Sequence, residues 1–164
     1  MGFSMSDNAK RYFNKLSESK HGKIKLQFDF YYLCLMAGLI SENISECKGE
    51  EFNDEFPSVF VPQREQIIGL LIATEIRRNG IDIENRERLE RLMLKLVKPD
   101  SPTRLSDDGE RLMNGYAENG FKLIYEKIPT PPSNLDTFLT GYYERIVKKE
   151  NKTQSGTTDD IKDV

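Results

Sequence analysis

The stretch from Asp29 to Ile40 reads Asp-Phe-Tyr-Tyr-Leu-Cys-Leu-Met-Ala-Gly-Leu-Ile, and it constrains the fold more than any other segment. A helix that is apolar nearly all round must be surrounded, either by other elements of a bundle or by lipid. The run, about Phe28 to Ile40, is too short to span the roughly 30 Å of a bilayer core. The opening Met1-Gly2-Phe3-Ser4 also lacks a basic region followed by an apolar one, as a secretory signal would have. The segment is therefore expected to be the central helix of a bundle, in a cytoplasmic protein that makes no membrane contact.

The other periodic segments supply the elements that surround it. Ser6 is placed to cap a first helix, in which Ala9, Tyr12, Phe13 and Leu16 recur at helical spacing before Gly22 turns the chain. Lys23-Ile24-Lys25-Leu26-Gln27-Phe28 then alternates polar and apolar, the pattern of a half-exposed strand at 23–28. Nothing else alternates as cleanly, so this strand would pair with its copy in a homo-oligomer or be only an extended connector. Between Ser41 and Val61 the acids Glu46, Glu50, Glu51, Asp54 and Glu55 mix with Gly49 and Pro57, which predicts an irregular connection.

Pro62 suits the first turn of a helix through Ile67, Ile68, Leu71, Ile72 and Ile76, ending near Asn79-Gly80. A further helix, about Glu84 to Val97, sets Leu89, Leu92, Met93 and Leu96 on one face, with Glu84/Arg88 and Glu87/Arg91 spaced for pairing on the other. Pro99 and Pro102 break the chain, and Ser106 with Asp107 and Asp108 starts a helix to about Ile128. Gly115 and Gly120 inside it permit either a close helix crossing or a kink. A proline-rich connector leads to Asn134, the cap of a last helix bearing Leu135, Phe138, Leu139, Tyr142 and Ile146.

The sum is an all-α domain over residues 1–149, a compact bundle of about five to six helices with room for one short N-terminal strand. A polar tail from 150 to 164 is expected to be disordered. Tyr12, Phe13, Leu33, Leu35, Ile68, Leu71, Leu92, Leu112, Phe121 and Leu139 are the expected core.

Chemistry is sparse. The single histidine, His21, sits between Lys20 and Gly22 and reads as a surface residue at a helix end rather than a general base. No phosphate-cradling or nucleophile-elbow motif occurs. Cys47 could be a sulfur acceptor, but Glu46, Glu50 and Glu51 would disfavour its thiolate, and Cys34 reads as a small core residue. The two cysteines make neither a disulfide framework nor a metal set, and Asp107 and Asp108 are explained by helix capping. No enzyme activity, cofactor or metal is expected.

The remaining feature is a charge bias. The chain carries a formal net charge of −3, which excludes coating nucleic acid with the whole surface and leaves only a local patch. Lys10, Arg11, Lys15, Lys20, Lys23 and Lys25 supply one, with only Glu18 among them. The plain alternative is a solvated helix face in which Asp7 supports Arg11.

Four blocks together resemble the DndE family of DNA sulfur-modification proteins. They are the Ser6-x-x-Ala9 helix start, Leu33-Cys34-Leu35-Met36-Ala37-Gly38-Leu39, Gly49-Glu50-Glu51-Phe52-Asn53 and Asn119-Gly120-Phe121-Lys122-Leu123-Ile124, scattered over about Ser4 to Leu139. The resemblance implies a small helical subunit working beside a cysteine desulfurase and other proteins that place phosphorothioate sulfur in bacterial DNA. It also implies DNA contact through basic residues, with no catalytic residue of its own. It supplies no DNA-binding motif residue by residue, so the six cations rest on charge alone. The acidic connection, the proline-rich turn and the polar tail are longer than the family pattern, which leaves open a paralogous role in a related phage-defence complex. A scaffold that touches only protein, an ATPase or nuclease partner for instance, is the competing expectation.

Overall fold

The computed structural model describes residues 1–18, 27–149 and 152. In chain order the elements are β1 (Phe3–Met5), α1 (Asp7–Glu18), α2 (Gln27–Ser41), β2 (Glu50–Asn53), a 3-10 turn (Ser58–Gln63), α3 (Arg64–Arg78), α4 (Arg86–Leu96), α5 (Asp107–Lys127), α6 (Leu135–Tyr142) and a π-helical turn (Tyr143–Val147). The architecture is a mostly helical bundle with one two-stranded sheet.

The all-round apolar segment is the centre of the fold, as its composition requires. In α2, Phe28, Phe30, Tyr31, Cys34, Leu35, Ala37, Gly38 and Leu39 are buried, and the helix runs along α5 in the largest interface between elements. Gly38 and Gly120 set that crossing. A Cβ on Gly120 would stand 1.7 Å from the Cys34 carbonyl oxygen, and one on Gly38 would stand 1.8 Å from the Tyr116 carbonyl oxygen. The backbones therefore meet directly, and Gly120 serves a close approach.

Aromatic rings fill the space around α2. Phe3 meets Phe28 and Phe56 edge-on at 5.0 and 4.8 Å, and Phe13 stacks on Phe30 at 4.8 Å, distances at which such pairs attract beyond their area. Buried hydroxyls find acceptors: Tyr12 donates to the Ile128 carbonyl at 2.6 Å and Tyr142 to that of Leu33 at 2.7 Å. Asn114, buried on α5, ties three segments together. Its Oδ1 accepts from the Ser4 amide at 3.1 Å and the Tyr31 hydroxyl at 2.8 Å, while its Nδ2 donates to the Gly2 carbonyl at 2.9 Å.

Several expectations need correction. The strand expected at 23–28 is not formed at its end, because Gln27 and Phe28 open α2, while residues 23–26 lie outside the described residues. The sheet lies elsewhere: β1 pairs antiparallel with β2, Phe3 opposite Asn53 and Met5 opposite Glu50. Part of the expected acidic connection is thus a strand. Pro62 falls in the 3-10 turn that precedes α3.

On α4 only Leu96 is buried, and Met93 is 50% exposed, because the helix rests on α5 and α3 by one edge. Leu33, Leu92 and Leu112 are partly covered. Leu139 is 38% exposed, since α6 turns Phe138 and Tyr142 inward and Ile146 extends that stripe one turn further. Tyr12, Phe13, Leu35, Ile68, Leu71 and Phe121 are core residues as expected. Of the tail from 150, only Lys152 is described, and it is helical and exposed.

Candidate nucleic-acid interface

The Ser6 hydroxyl accepts from the Ala9 amide at 3.4 Å and starts α1. With Ala9, Tyr12, Phe13 and Leu16 buried, the outer face carries Asp7, Arg11, Asn14, Lys15 and Glu18. Of the six expected cations, Lys10, Arg11 and Lys15 are described. Lys20, Lys23 and Lys25 lie outside the described residues, as do His21 and Gly22.

The three cations differ. Lys10 is half-buried and lies 3.9 Å from Asp7, so Asp7 supports Lys10 rather than the Arg11 expected. Arg11 and Lys15 are exposed and form no ion pair with any described residue. The face is mixed in sign, with Asp7 at one end and Glu18 at the other.

Folding adds residues to this face that the charge bias did not include. α5 runs beside α1 and brings Lys122 and Tyr125 next to Asn8 and Arg11, around a groove of about 500 Å³. Its floor is aromatic: Tyr12 lies 5.7 Å from Phe121, and the Tyr125 ring lies 6.1 and 6.2 Å from those two. Burial first, then the Cys34 sulfur, pushes the Tyr12 phenol up to about 12, so its hydroxyl remains a donor to Ile128. Tyr125 is 54% exposed. Lys122 is exposed and, among the described residues, in no ion pair. Glu118 and Pro131 complete the lining. On the wheel of α5, Lys122 and Tyr125 fall on the same side of the buried Phe121–Ile124 stripe, which brings both to this groove.

A second cleft, about 880 Å³, opens between the 44–49 loop, the end of α3, α4 and the start of α5. Most of its charges are matched internally, Lys95 being unpaired among the described residues. Arg78 pairs with Glu75 at 3.0 Å, Arg111 with Asp108 at 2.8 Å and the Met1 amine with Glu51 at 3.9 Å. Glu75 is buried and also accepts from the Tyr116 hydroxyl and the Asn79 amide. Burial, followed by the hydrogen bond and charge of Glu75, raises the Tyr116 phenol above its ordinary range. This cluster bolts α3 to α5. Its sequence signal was Glu75 continuing the Ile67–Leu71 stripe at the next four-residue step.

Cys34 is fully buried and its thiol is raised first by burial, then by Glu118. Cys47 lines the second cleft half-buried. Burial is the largest cause raising its pKa. The Gly49 backbone hydrogen bond and Lys10 oppose the rise and Glu118 adds to it, rather than the three neighbouring glutamates expected. Raised pKa means less thiolate at neutral pH and slower attack. At pH 7.5 iodoacetamide should therefore label Cys47 more slowly than a cysteine in an unstructured peptide, with the rate still climbing above pH 9, and should leave Cys34 unlabelled until the protein unfolds. Mass spectrometry of the labelled native protein reads both sites; fast neutral labelling of Cys47 would contradict the assignment.

Among the described residues no group of three His, Cys, Asp or Glu side chains is arranged to hold a metal ion, and no helix is long and apolar enough to cross a membrane. Asp107 and Asp108 follow the Ser106 cap, whose Oγ accepts from the Gly109 amide at 3.1 Å. Neither a protein-family model, nor a curated protein, nor a solved structure matches the chain.

Proposed function

We propose that the protein is a small, non-catalytic DNA-contacting subunit of a bacterial DNA phosphorothioate-modification system or a related phage-defence complex. One observation carries the DNA contact: Arg11 and Lys122 flank one aromatic groove with Lys15 a turn further along α1, all three exposed and free of ion pairs among the described residues, whereas Arg86, Arg88, Lys95 and Lys98, also exposed and unpaired there, lie on or beside α4 and do not line that groove. Cations without a protein partner are the ones that can release counterions from phosphate. The assignment to a modification or defence complex rests on the DndE resemblance.

The test is a salt series of fluorescence anisotropy on a short labelled duplex. Three phosphate contacts give a slope of log K on log salt of about −2.7, so affinity should fall about fortyfold between about 50 and 200 mM salt. Salt-insensitive binding, or none, would favour the adaptor reading. That reading has its own support: Ile83 is 73% exposed, and Met93 and Leu94 on α4 are 50% and 74% exposed, apolar surface suited to a protein partner. The two readings share no residue, so a partner subunit on α4 and DNA on α1 are compatible.

A further inference from the structure

We infer that the groove between α1 and α5 receives the unpaired base of a nucleotide, so that the protein prefers DNA with a displaced base over intact duplex. The inference rests on the DNA-contact reading above and adds to it what the groove recognises.

Three observations converge. The groove floor consists of Tyr12 and Phe121, and Tyr125 is in ring contact with both while remaining 54% exposed. Tyr12 and Phe121 are themselves buried, so the Tyr125 ring is the aromatic face left in water; such a ring at a concave site suits a planar apolar ligand, and base stacking on it is tolerant of base identity. The volume of about 500 Å³ falls in the range of about 300 to 1,000 Å³ typical of small-ligand sites and is too small for a duplex to enter.

Charge then decides which planar ligand. Arg11 and Lys122 line the groove against one acid, Glu118, and neither cation is paired with a described residue. The excess is positive, which matches the phosphates flanking a base. The adjoining depression holds Asp7, Glu46 and Glu118 against Lys48 and Lys122. Lys10 faces Asp7 and Lys48 faces Glu46 there, which leaves no unpaired cation but Lys122, so the strand should run from the groove along Arg11 towards Lys15. Asn8, at the rim, offers both a donor and an acceptor to a base edge.

The experiment compares two duplexes of equal charge, one with a single unpaired thymine bulge and one with an abasic residue at the same bulge. Wild type should bind the thymine bulge about tenfold more tightly, the scale of one stacked base. Tyr125→Leu keeps an apolar side chain over Tyr12 and Phe121 but removes the π-face, and should make the two affinities equal. Tyr125→Phe should retain the preference. Arg11→Gln or Lys122→Gln should weaken both duplexes equally and lower the salt slope. Equal, salt-sensitive binding of both duplexes by wild type would overturn the base groove while sparing DNA contact, as would a preference that survives Tyr125→Leu. Absence of salt-sensitive binding to either would overturn DNA contact itself.

Discussion

Gly120→Ala should cost the protein about 3 kcal/mol, lowering the melting temperature by about 6 to 12 °C for a chain of this size. In an ordinary helix the same change would stabilise by up to about 1 kcal/mol, because alanine is the better helix former. Here the added methyl would lie 1.7 Å from the Cys34 carbonyl oxygen and 2.6 Å from the Gly38 amide nitrogen. Both neighbours are backbone inside α2, so no side chain can rotate away, and the two central helices must separate. Their separation would loosen Tyr31, Leu35, Tyr116 and Ile124 together, all fully buried. Gly69→Ala is the matched control, since Gly69 is exposed on α3 with nothing within 4 Å of its added methyl. Urea unfolding of the two variants should move the midpoint in opposite directions. A Gly120→Ala protein as stable as wild type would mean that α2 and α5 do not cross here.

That crossing marks the boundary of what the sequence discloses. The apolar run of α2 and the spacing of Ile67, Leu71 and Phe121 require burial whatever surrounds them, so a helical bundle and much of its core are legible. Whether Gly120 bends α5 or admits α2 depends on a partner 82 positions away, which periodicity along one helix does not encode. The strands fail for a different reason. β1 and β2 are three and four residues long, too short to display a two-residue period, and Glu50-Glu51-Phe52-Asn53 looks like loop because its first half is exposed and its second half only partly covered. The cleaner alternation from Lys23 onward overreaches at its end, where Gln27 and Phe28 belong to the first turn of α2.

The candidate interface was legible in part on the same principle. Arg11 and Lys15 are neighbours in sequence and visible as a charge bias. Lys122 and Tyr125 reach the site only because α5 folds against α1, and nothing local to them signals it. Ion pairing is equally non-local: Lys10 takes the Asp7 carboxylate that the four-residue spacing offered to Arg11. On α4 the helix begins at Arg86 rather than Glu84, so the Glu84/Arg88 pair does not form, while Arg91 and Glu87 do pair.

Reversing Arg11 and Lys15 to glutamate should reduce duplex affinity on the order of a hundredfold at about 0.1 M salt. Each phosphate contact contributes about 0.9 to the slope of log K on log salt, hence about eightfold at that concentration, and two are lost. The residual slope should be about −0.9, the contribution of Lys122. Folding should be unaffected to within about 0.5 kcal/mol, because both side chains are exposed and off the Tyr12–Phe13–Leu16 face. Including Lys10→Glu should add less than a further eightfold step, since Asp7 already faces that ammonium. The control is Arg91→Glu with Arg111→Glu, which changes the net charge by the same amount. Those side chains are 72% and 67% exposed but already engage Glu87 and Asp108, so a phosphate gains little from them and their reversal should change affinity by less than about threefold. If the two double variants weaken binding equally, the effect is that of net charge, α1 is not the interface, and the adaptor reading centred on α4 becomes the better account.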